Sequence, residues 1–399
     1  MIDVHTGQAS RLSGPVVVFM AFAAALGTST LYPLQPAIAA VADSLSAQLT
    51  TVGLALACGP AGYLVGLGLL VPLVDRFPPA RVLAAQFGVL AAVLAASATA
   101  AGVVVLGVLI ALAGTCSAVG AGLSSVAGRL APAHRRATVL GVVTAGISAG
   151  ILAGRIAGGW LTEEIGWRAT LLVFAAACAL VAAGCLLLVP PAPDGIGRSG
   201  IGRGYGATLR SLPGLLVRHA VLRVAAVRGA LWFFAFCTVW SGLAVVLSQP
   251  PYSYSAERIG LYALAGLSGI AATQVAGAWT DRVGARRVVL AGLLVAGVAA
   301  LALGWSLTST AATLGCLLLF DAGLFAAQVA NQSTVLAIDP AAPARFNSAY
   351  MLVYFVGGSL GTAFGAAAAD RLGWPATATI AAAAIAAAAC CTRREGAYR

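Results

Sequence analysis

The chain has 399 residues, of which 60% are hydrophobic and only 9% are charged. Soluble domains carry about 25% charged residues, so this composition excludes a soluble protein and indicates an integral membrane protein. The net charge of +11 comes from arginines spread over loop ends, which argues against a nucleic-acid-binding domain, and the absence of lysine excludes a Walker A ATP site.

Apolar stretches long enough to cross about 30 Å of hydrocarbon as helices recur along the whole chain. They cover residues 14–40, 49–73, 81–101, 103–129, 138–161, 167–190, 224–248, 257–279, 287–306, 310–337, 346–369 and 374–392. The pattern predicts an all-α integral membrane protein with twelve transmembrane helices. We interpret the first span as an uncleaved helix, because its apolar run is longer than that of a signal peptide.

The arginines divide unevenly between the two sides of these spans. Most lie in one set of alternate loops, whereas the opposite loops contain only Arg168, Arg258 and Arg371. Because basic residues in short loops stay on the cytoplasmic side, we expect a multi-pass protein of the inner (cytoplasmic) membrane with both termini in the cytoplasm.

The second half of the chain repeats the first. The motif GWRAT at Gly166–Thr170 returns as GWPAT at Gly373–Thr377, an offset of 207 residues. Glycines at a spacing of four recur at the same offset, at Gly146, Gly150, Gly154 and Gly158 and again at Gly357, Gly361 and Gly365. The repeat predicts two pseudo-symmetric six-helix bundles, at 1–190 and 224–399, joined by a cytoplasmic linker at 191–223.

The first span contains two prolines, Pro33 and Pro36, beside the polar residues Tyr32 and Gln35. Prolines in a membrane helix free backbone carbonyls that must line a cavity or find other partners. Tyr32 and Gln35 are therefore candidate substrate contacts, with a merely structural bend as the alternative.

Two later spans supply further candidates. Arg155 lies beside the glycines of the fifth span and is interpreted as the only cation deep in the membrane. Trp232 and Phe236 in the seventh span could form an aromatic wall of a binding site, although tryptophans also anchor helices at the membrane interface.

Asp321 is the clearest deep acidic residue, roughly eleven residues into the tenth span at about 1.5 Å per residue. An uncompensated charge at the bilayer centre costs about 2.5–3.5 kcal/mol even on the mildest scale, so a retained carboxylate suggests function. Three roles stay open: proton coupling, substrate contact, or a structural partner for another polar group. Gln328 and Gln332 follow on or near the same face, and Asn331 lies about 80° away from Gln328. This polar stripe suits a water-filled cavity, so Gln328 and Asn331 are candidate substrate contacts. A state-dependent pair of Asp321 with Arg155 is a hypothesis.

Two loops resemble a known family pattern. VPLVDRFPPAR after the second span and GAWTDRVGARR after the eighth resemble the D-R-x-G-x-R-R loop of the major facilitator superfamily, and the resemblance covers nearly the whole chain. It implies a conformational gate formed by charged and glycine residues of both loops, namely Asp75, Arg76, Arg81, Gly277, Asp281, Arg282, Gly284 and Arg286. Ordinary positive-inside anchoring is the alternative for these arginines.

The glycines of the fifth span resemble the G-x-x-x-G-P-x-x-G-G signature of the antiporter branch, with Arg155 in the place of the proline. The tenth span looks like members of the bacterial drug, sugar and nucleoside efflux branch. The fourth span departs from efflux members, since residues 113–122 contain no buried arginine. The resemblance implies a secondary transporter that exports a small organic solute by proton antiport, with Asp321 as the proton-coupling residue and the glycines of the fifth and eleventh spans as sliding contacts between the halves.

Other functions remain open at this point. One is uptake of a sugar or organic anion by symport or uniport, with Arg155 as the partner of the anion. Another is a sensor or assembly protein that uses a transporter scaffold without transport. We expect no enzyme activity, metal site or cofactor, because no catalytic or metal-ligand constellation is present. The expected partners are a small-molecule substrate, protons and membrane lipid, with no nucleic acid, and a monomer suffices.

Overall fold

The computed structural model describes residues 13–131, 135–190, 214–339 and 343–395. Every regular element in these ranges is helical. Of the linker predicted at 191–223, residues 191–213 lie outside the described residues.

Six spans form the first half. The first is Gly14–Ser29, followed after a turn through Pro33 and Pro36 by the short helix Ile38–Ser44. The second to fourth spans are Leu49–Leu69 with the 3-10 turn Val71–Asp75, then Pro79–Ala98, then Val103–Ser117 continued by Val119–Leu130. The fifth and sixth spans form one helix, Arg136–Leu188, which breaks at Gly166.

The second half begins with the seventh span, Ala220–Ser248, inside the stretch predicted as linker. The eighth comprises Ala256–Leu261, the 3-10 turn Tyr262–Gly266 and Leu267–Val283. The ninth to twelfth spans are Ala285–Ser306, Thr310–Leu336, Pro343–Leu372 and Trp374–Glu395.

Within the described ranges, 10 helices are long and apolar enough to cross a membrane, and Gly14–Ser29 is a shorter apolar helix. One of the 10, Thr138–Leu188, has 51 residues and bends at Gly166, so it is long enough to cross twice. The prediction of an all-α, multi-pass membrane protein is confirmed, and these helices are consistent with twelve crossings.

The repeated GWxAT motif forms the same turn in both halves. Gly166 and Gly373 have φ of 80° and 79°, a left-handed conformation that favours glycine. The hydroxyls of Thr170 and Thr377 donate to the carbonyl oxygens of these glycines at 3.0 and 2.9 Å. The internal repeat in the sequence therefore corresponds to a repeated turn in the structure.

Each turn is also fastened to the end of a neighbouring span. Arg168 donates to the carbonyl oxygens of Ala98 and Ala100, which cap the third span. In the second half the indole N–H of Trp374 donates to the carbonyl of Leu303 in the ninth span at 2.6 Å. Arg168 of GWRAT thus has a local structural role.

The glycines at a spacing of four pack within each half and not between halves. A Cβ at Gly146, Gly150 or Gly154 would overlap the backbone of the first span, and one at Gly357, Gly361 or Gly365 would overlap that of the seventh. The expectation of sliding contacts between halves is therefore wrong for these residues. Small residues allow a close backbone approach, but their spacing does not identify the partner helix.

The halves meet through other residues. Gly53 of the second span packs on Ala366 of the eleventh, and Gly159 of the fifth packs on Ala256 of the eighth. The hydroxyl of Thr50 donates to the carboxylate of Asp370 across the same interface at 3.0 Å. The two halves are therefore in close contact at the end of the bundle that contains Thr50.

Candidate functional site

Arg155 is buried at the centre of the bundle, with 4% of its surface exposed. Its Nε donates to Oε1 of Gln35 in the first span at 2.7 Å. The guanidinium carbon lies 4.4 Å from the ring centroid of Trp240, 4.9 Å from that of Tyr32 and 5.6 Å from that of Phe236. The predicted residues Tyr32, Gln35 and Phe236 thus surround Arg155, and Trp240 makes a fourth contact with the same cation.

Asp321 is more deeply buried, at 1% exposed. The indole Nε1 of Trp240 donates to its Oδ1 at 3.4 Å. Trp240 therefore contacts both charged residues, the cation with its ring face and the carboxylate with its N–H. Arg155 and Asp321 make no direct ion pair in the part of the chain that the structure describes.

The eighth span passes close to Asp321 because it has glycine at the crossing point. A Cβ at Gly266 would lie 3.2 Å from Oδ2 of Asp321 and 3.1 Å from Leu152 of the fifth span. The 3-10 turn that contains Gly266 therefore packs between the carboxylate of Asp321 and Leu152 of the first half. A movement of the halves relative to each other would change the surroundings of Asp321.

Aromatic rings form the rest of the site. Phe236 is parallel to Phe320 of the tenth span, with centroids 6.4 Å apart, and meets Phe325 edge-on at 5.8 Å. Phe233 stacks on Tyr354 of the eleventh span at 4.0 Å. These rings pack on one another and join the seventh span to the tenth and eleventh spans.

The tryptophans of the seventh span face the protein interior. Trp232 is 1% exposed and Trp240 is 4% exposed, and Trp232 packs edge-on against Tyr354 at 5.1 Å. Their alternative interpretation as membrane-interface anchors is therefore wrong, since an anchor must reach the lipid headgroups. The indole N–H of Trp232 has no hydrogen-bond partner among the described residues.

A second buried cation, Arg228, was missed by the sequence analysis, which treated Arg155 as the only deep one. Arg228 is 2% exposed, and its Nε and Nη2 both donate to Oδ1 of Asn331. Its Nη1 donates to the hydroxyl of Thr392 in the twelfth span at 3.1 Å. Arg228 lies inside the predicted seventh span, 224–248, and this position could have indicated that it is buried.

Asn331 and Gln328 belong to this cluster around Arg228. The amide nitrogen of Asn331 donates to the carbonyl of Ala225 and to the hydroxyl of Tyr350, and Tyr350 donates to Oε1 of Gln328 at 2.6 Å. Gln332 bonds separately to Asn347 at 2.9 Å. The polar residues of the tenth span therefore tie it to the seventh and eleventh spans.

Asn331→Leu is expected to lower stability, because it removes the acceptor of two donor groups of the buried Arg228. We expect a loss of about 2–3 kcal/mol, the cost of leaving a buried charged donor without its partner. The double variant Arg228→Met/Asn331→Leu should lose less than Asn331→Leu alone, since it also removes the buried charge.

Thermal unfolding of the purified protein measures this order. Gln332→Leu is the matched control, because it removes a neutral amide bond one residue further along the same helix and should cost less. Equal melting temperatures for Asn331→Leu and the wild type would contradict the assigned role of the cluster around Arg228.

The predicted gate loops differ in the two halves. Gly284 has φ of 89°, which explains the glycine at this point, while Pro79 begins the third span at the end of the first-half loop. Asp281 is exposed and makes no hydrogen bond or ion pair with any residue that the structure describes. Arg76, Arg81, Arg282 and Arg286 are also exposed. A Cβ at Gly277 would meet no atom within 4 Å.

The first-half loop has one partner that the sequence analysis did not identify. Arg129, at the end of the fourth span, donates to the carbonyl of Val74 at 2.8 Å. The side chain of Asp75 lies outside the described part. Arg129 is a basic residue at the end of the fourth span. That position could have indicated a contact with the loop after the second span.

No group of three His, Cys, Asp or Glu residues that could hold a metal ion occurs among the described residues. The eight cysteines are unpaired. The bundle therefore brings a buried cation, Arg155, and a buried carboxylate, Asp321, from opposite halves against the same aromatic ring. Ionisable residues buried inside a bundle of membrane-spanning helices are typical of transport proteins.

The chain belongs to the major facilitator superfamily. The family model, described as Major Facilitator Superfamily, matches residues 17–361 and 252–395. The chain is therefore a secondary transporter that acts across a membrane, and the suspected family is confirmed.

Relatives in the curated proteins agree with this assignment. An uncharacterized transporter of Escherichia coli, YgaY, is 30% identical over 377 residues, which are 93% of this chain and 94% of the relative. The probable transporter SCO4007 of Streptomyces coelicolor is 29% identical over 377 residues, covering 94% of this chain and 86% of the relative.

Solved structures share the fold at low identity. A bacterial homolog of the human lysosomal transporter Spinster, in an inward-facing and unoccupied conformation, has a TM-score of 0.74 and 16% identity, covering 95% of this chain and 94% of that one. The nucleoside transporter NupG has a TM-score of 0.73 and 13% identity, covering 95% of this chain and 97% of that one.

Proposed function

We propose that this chain exports a small organic solute across the cytoplasmic membrane in exchange for protons, with both termini in the cytoplasm and one chain as the working unit. Asp321 carries the proton and Arg155 is its partner in the opposite half. One observation carries the proposal: both residues are buried and contact the same indole, yet they form no ion pair in the described chain.

The coupling follows from the cost of charge in the membrane. A carboxylate without a compensating charge at the bilayer centre costs about 2.5–3.5 kcal/mol on the mildest scale. Arg155 lies on the fifth span and Asp321 on the tenth, so a rocking motion of the halves changes the distance between them. When Arg155 is close, Asp321 tolerates its charge, and when Arg155 moves away, Asp321 binds a proton.

The solute occupies the space between the halves and competes with the proton. The proposed solute contacts are Tyr32, Gln35 and Phe236, which surround Arg155. Trp232 and Gln328 are proposed to extend the site along the seventh and tenth spans. Asn331 is assigned a different role from the one predicted, because its amide groups are already bonded to Arg228, Ala225 and Tyr350. It holds the tenth span in place rather than touching the solute.

Export is supported by the glycine pattern of the fifth span, which resembles that of antiporters. The proline of that pattern is replaced in this chain by Arg155, the cation of the central site. In the antiporter pattern this position is a proline, which kinks the helix. In this chain the position has a positive charge instead. The fifth span therefore acts on proton exchange through the attraction between Arg155 and Asp321.

Alternating access needs a closed state on each side. On one side Asp370 accepts from Thr50 of the first half at 3.0 Å and from Gln249 of the second half at 3.1 Å. By the distribution of arginines this is the outer side, so the conformation is closed to the outside. On the cytoplasmic side, Asp281, Arg282 and Arg286, with Arg76 and Arg81, form a latch in the alternate conformation.

A second candidate is uptake of an organic anion together with a proton. It is favoured by the two terminal amino groups of Arg155, which make no hydrogen bond within the described chain. An anion bound there would take over the role of counter-charge from Asp321, and Asp321 would then bind a proton. In this case solute and proton bind together instead of excluding each other.

Proteoliposomes that contain a pH-sensitive dye test the proposal. Nucleosides, aromatic cations, sugars and organic acids are added in turn, and proton movement is recorded. Export by exchange predicts that protons and solute move in opposite directions. Movement in the same direction supports the second candidate, and solute movement without proton movement contradicts both.

A further inference from the structure

Trp240 is the residue that joins the two charges of the central site. It is 4% exposed, its ring face lies 4.4 Å from the guanidinium carbon of Arg155, and its N–H donates to Asp321 at 3.4 Å. We propose that Trp240 is a positioning residue that keeps Arg155 and Asp321 apart, so that Asp321 can exchange its proton. This inference rests on the proposed function of Asp321 as the proton carrier.

A spacer is needed because opposite charges in a low-dielectric interior attract strongly and, once paired with good geometry, are costly to separate. A permanent pair would keep Asp321 charged through the whole cycle. Trp240 gives each charge a weaker partner instead, a π face for the cation and a hydrogen bond for the carboxylate. Two conformations of comparable free energy are then possible, as a transport cycle requires.

Among the described residues, few other groups lie close enough to Asp321 to act on its proton. Arg155 faces it from the fifth span, and Tyr32 and Cys237 lie near Arg155 from the first and seventh spans. The eighth span presents the backbone of Gly266. The ninth span packs on the tenth through Gly292 against Gly323, and its arginines, Arg286 and Arg287, lie at its far end.

The proton itself is the probe for the test. The carbonyl stretch of a protonated carboxyl group is followed against pH by infrared difference spectroscopy on the purified protein, and the Asp321→Asn variant identifies the signal. Trp240→Phe keeps a ring face but loses the N–H that favours the charged carboxylate. We expect the half-point of the titration to move up by about one pH unit, a tenfold change in proton affinity.

Trp240→Leu removes the spacer and is expected to act in the opposite direction. Arg155 and Asp321 would then pair directly, and the half-point should move down by about one pH unit or more. Trp374→Phe is the control, because it also removes a buried indole N–H, but one that donates to Leu303 near the end of the ninth span and not to Asp321. It should leave the half-point unchanged.

Opposite shifts for the two Trp240 variants support the inference, because a purely structural role would not change the sign with the side chain. An unchanged half-point in Trp240→Phe overturns it, and so do shifts in the same direction. If Trp240→Leu does not fold, the shift of Trp240→Phe decides alone. A wild type with no titrating signal that Asp321→Asn removes contradicts the proposed function itself.

Discussion

Asp321→Asn is expected to abolish solute-driven proton movement in proteoliposomes. Asparagine has nearly the same shape and can still accept a hydrogen bond from Trp240, but it cannot bind and release a proton. We expect proton flux to fall at least about a hundredfold, since a site without its proton-transfer group loses on the order of 10²–10⁴ in rate. The pH-sensitive dye inside the vesicles measures the loss.

Two control measurements distinguish loss of proton coupling in Asp321→Asn from loss of the folded structure. Exchange of labelled solute for unlabelled solute, which needs no net proton movement, should persist in Asp321→Asn. Glu163→Gln removes one carboxylate from an exposed position and should keep the wild-type proton flux. Wild-type proton movement in Asp321→Asn would show that another group carries the proton.

Gly154→Leu is expected to prevent formation of a stable fold. A Cβ at this position would overlap the carbonyl oxygen of Ser29 in the first span and lie 2.9 Å from its Cα. The obstacle is backbone, which cannot move aside as a flexible side chain can. Overpacking costs about 1–3 kcal/mol for small insertions and more for larger ones, so a leucine should cost about 3 kcal/mol or more.

Size-exclusion chromatography and thermal unfolding measure this effect. Gly361→Leu should behave in the same way, because it meets the carbonyl of Phe234 at the corresponding place in the second half. Gly141→Leu is the matched control on the fifth span, where a Cβ has no atom within 4 Å. A Gly154→Leu protein with the elution profile and melting temperature of the wild type would contradict the packing described above.

Local patterns predicted the fold well. Apolar runs placed the spans, and the GWxAT repeat placed two equivalent turns, because a left-handed glycine and a threonine at a fixed distance are local features. The glycine spacing correctly indicated close helix contacts but led to the wrong partner helix. Which helices meet is decided by long-range packing, and that information is not contained in the spacing along one helix.

The central site was predicted in its parts and not in its arrangement. Depth in the membrane singled out Asp321 and Arg155, since charge there is costly. Trp240 could not be assigned as their shared neighbour, because it lies about eighty residues from each of them and only the tertiary fold brings the three together. Arg228 was missed because an arginine near the start of a span resembles a loop residue when its contact with Asn331 is unknown.

Proton release on solute binding tests the central claim most directly. A transported solute is added to purified protein in weakly buffered detergent solution, and the pH is recorded with the wild type and with Asp321→Asn. If solute and proton compete for the site, the wild type releases protons and the variant does not. Solute binding without proton release from the wild type, or with proton uptake, would contradict exchange of solute for protons at Asp321.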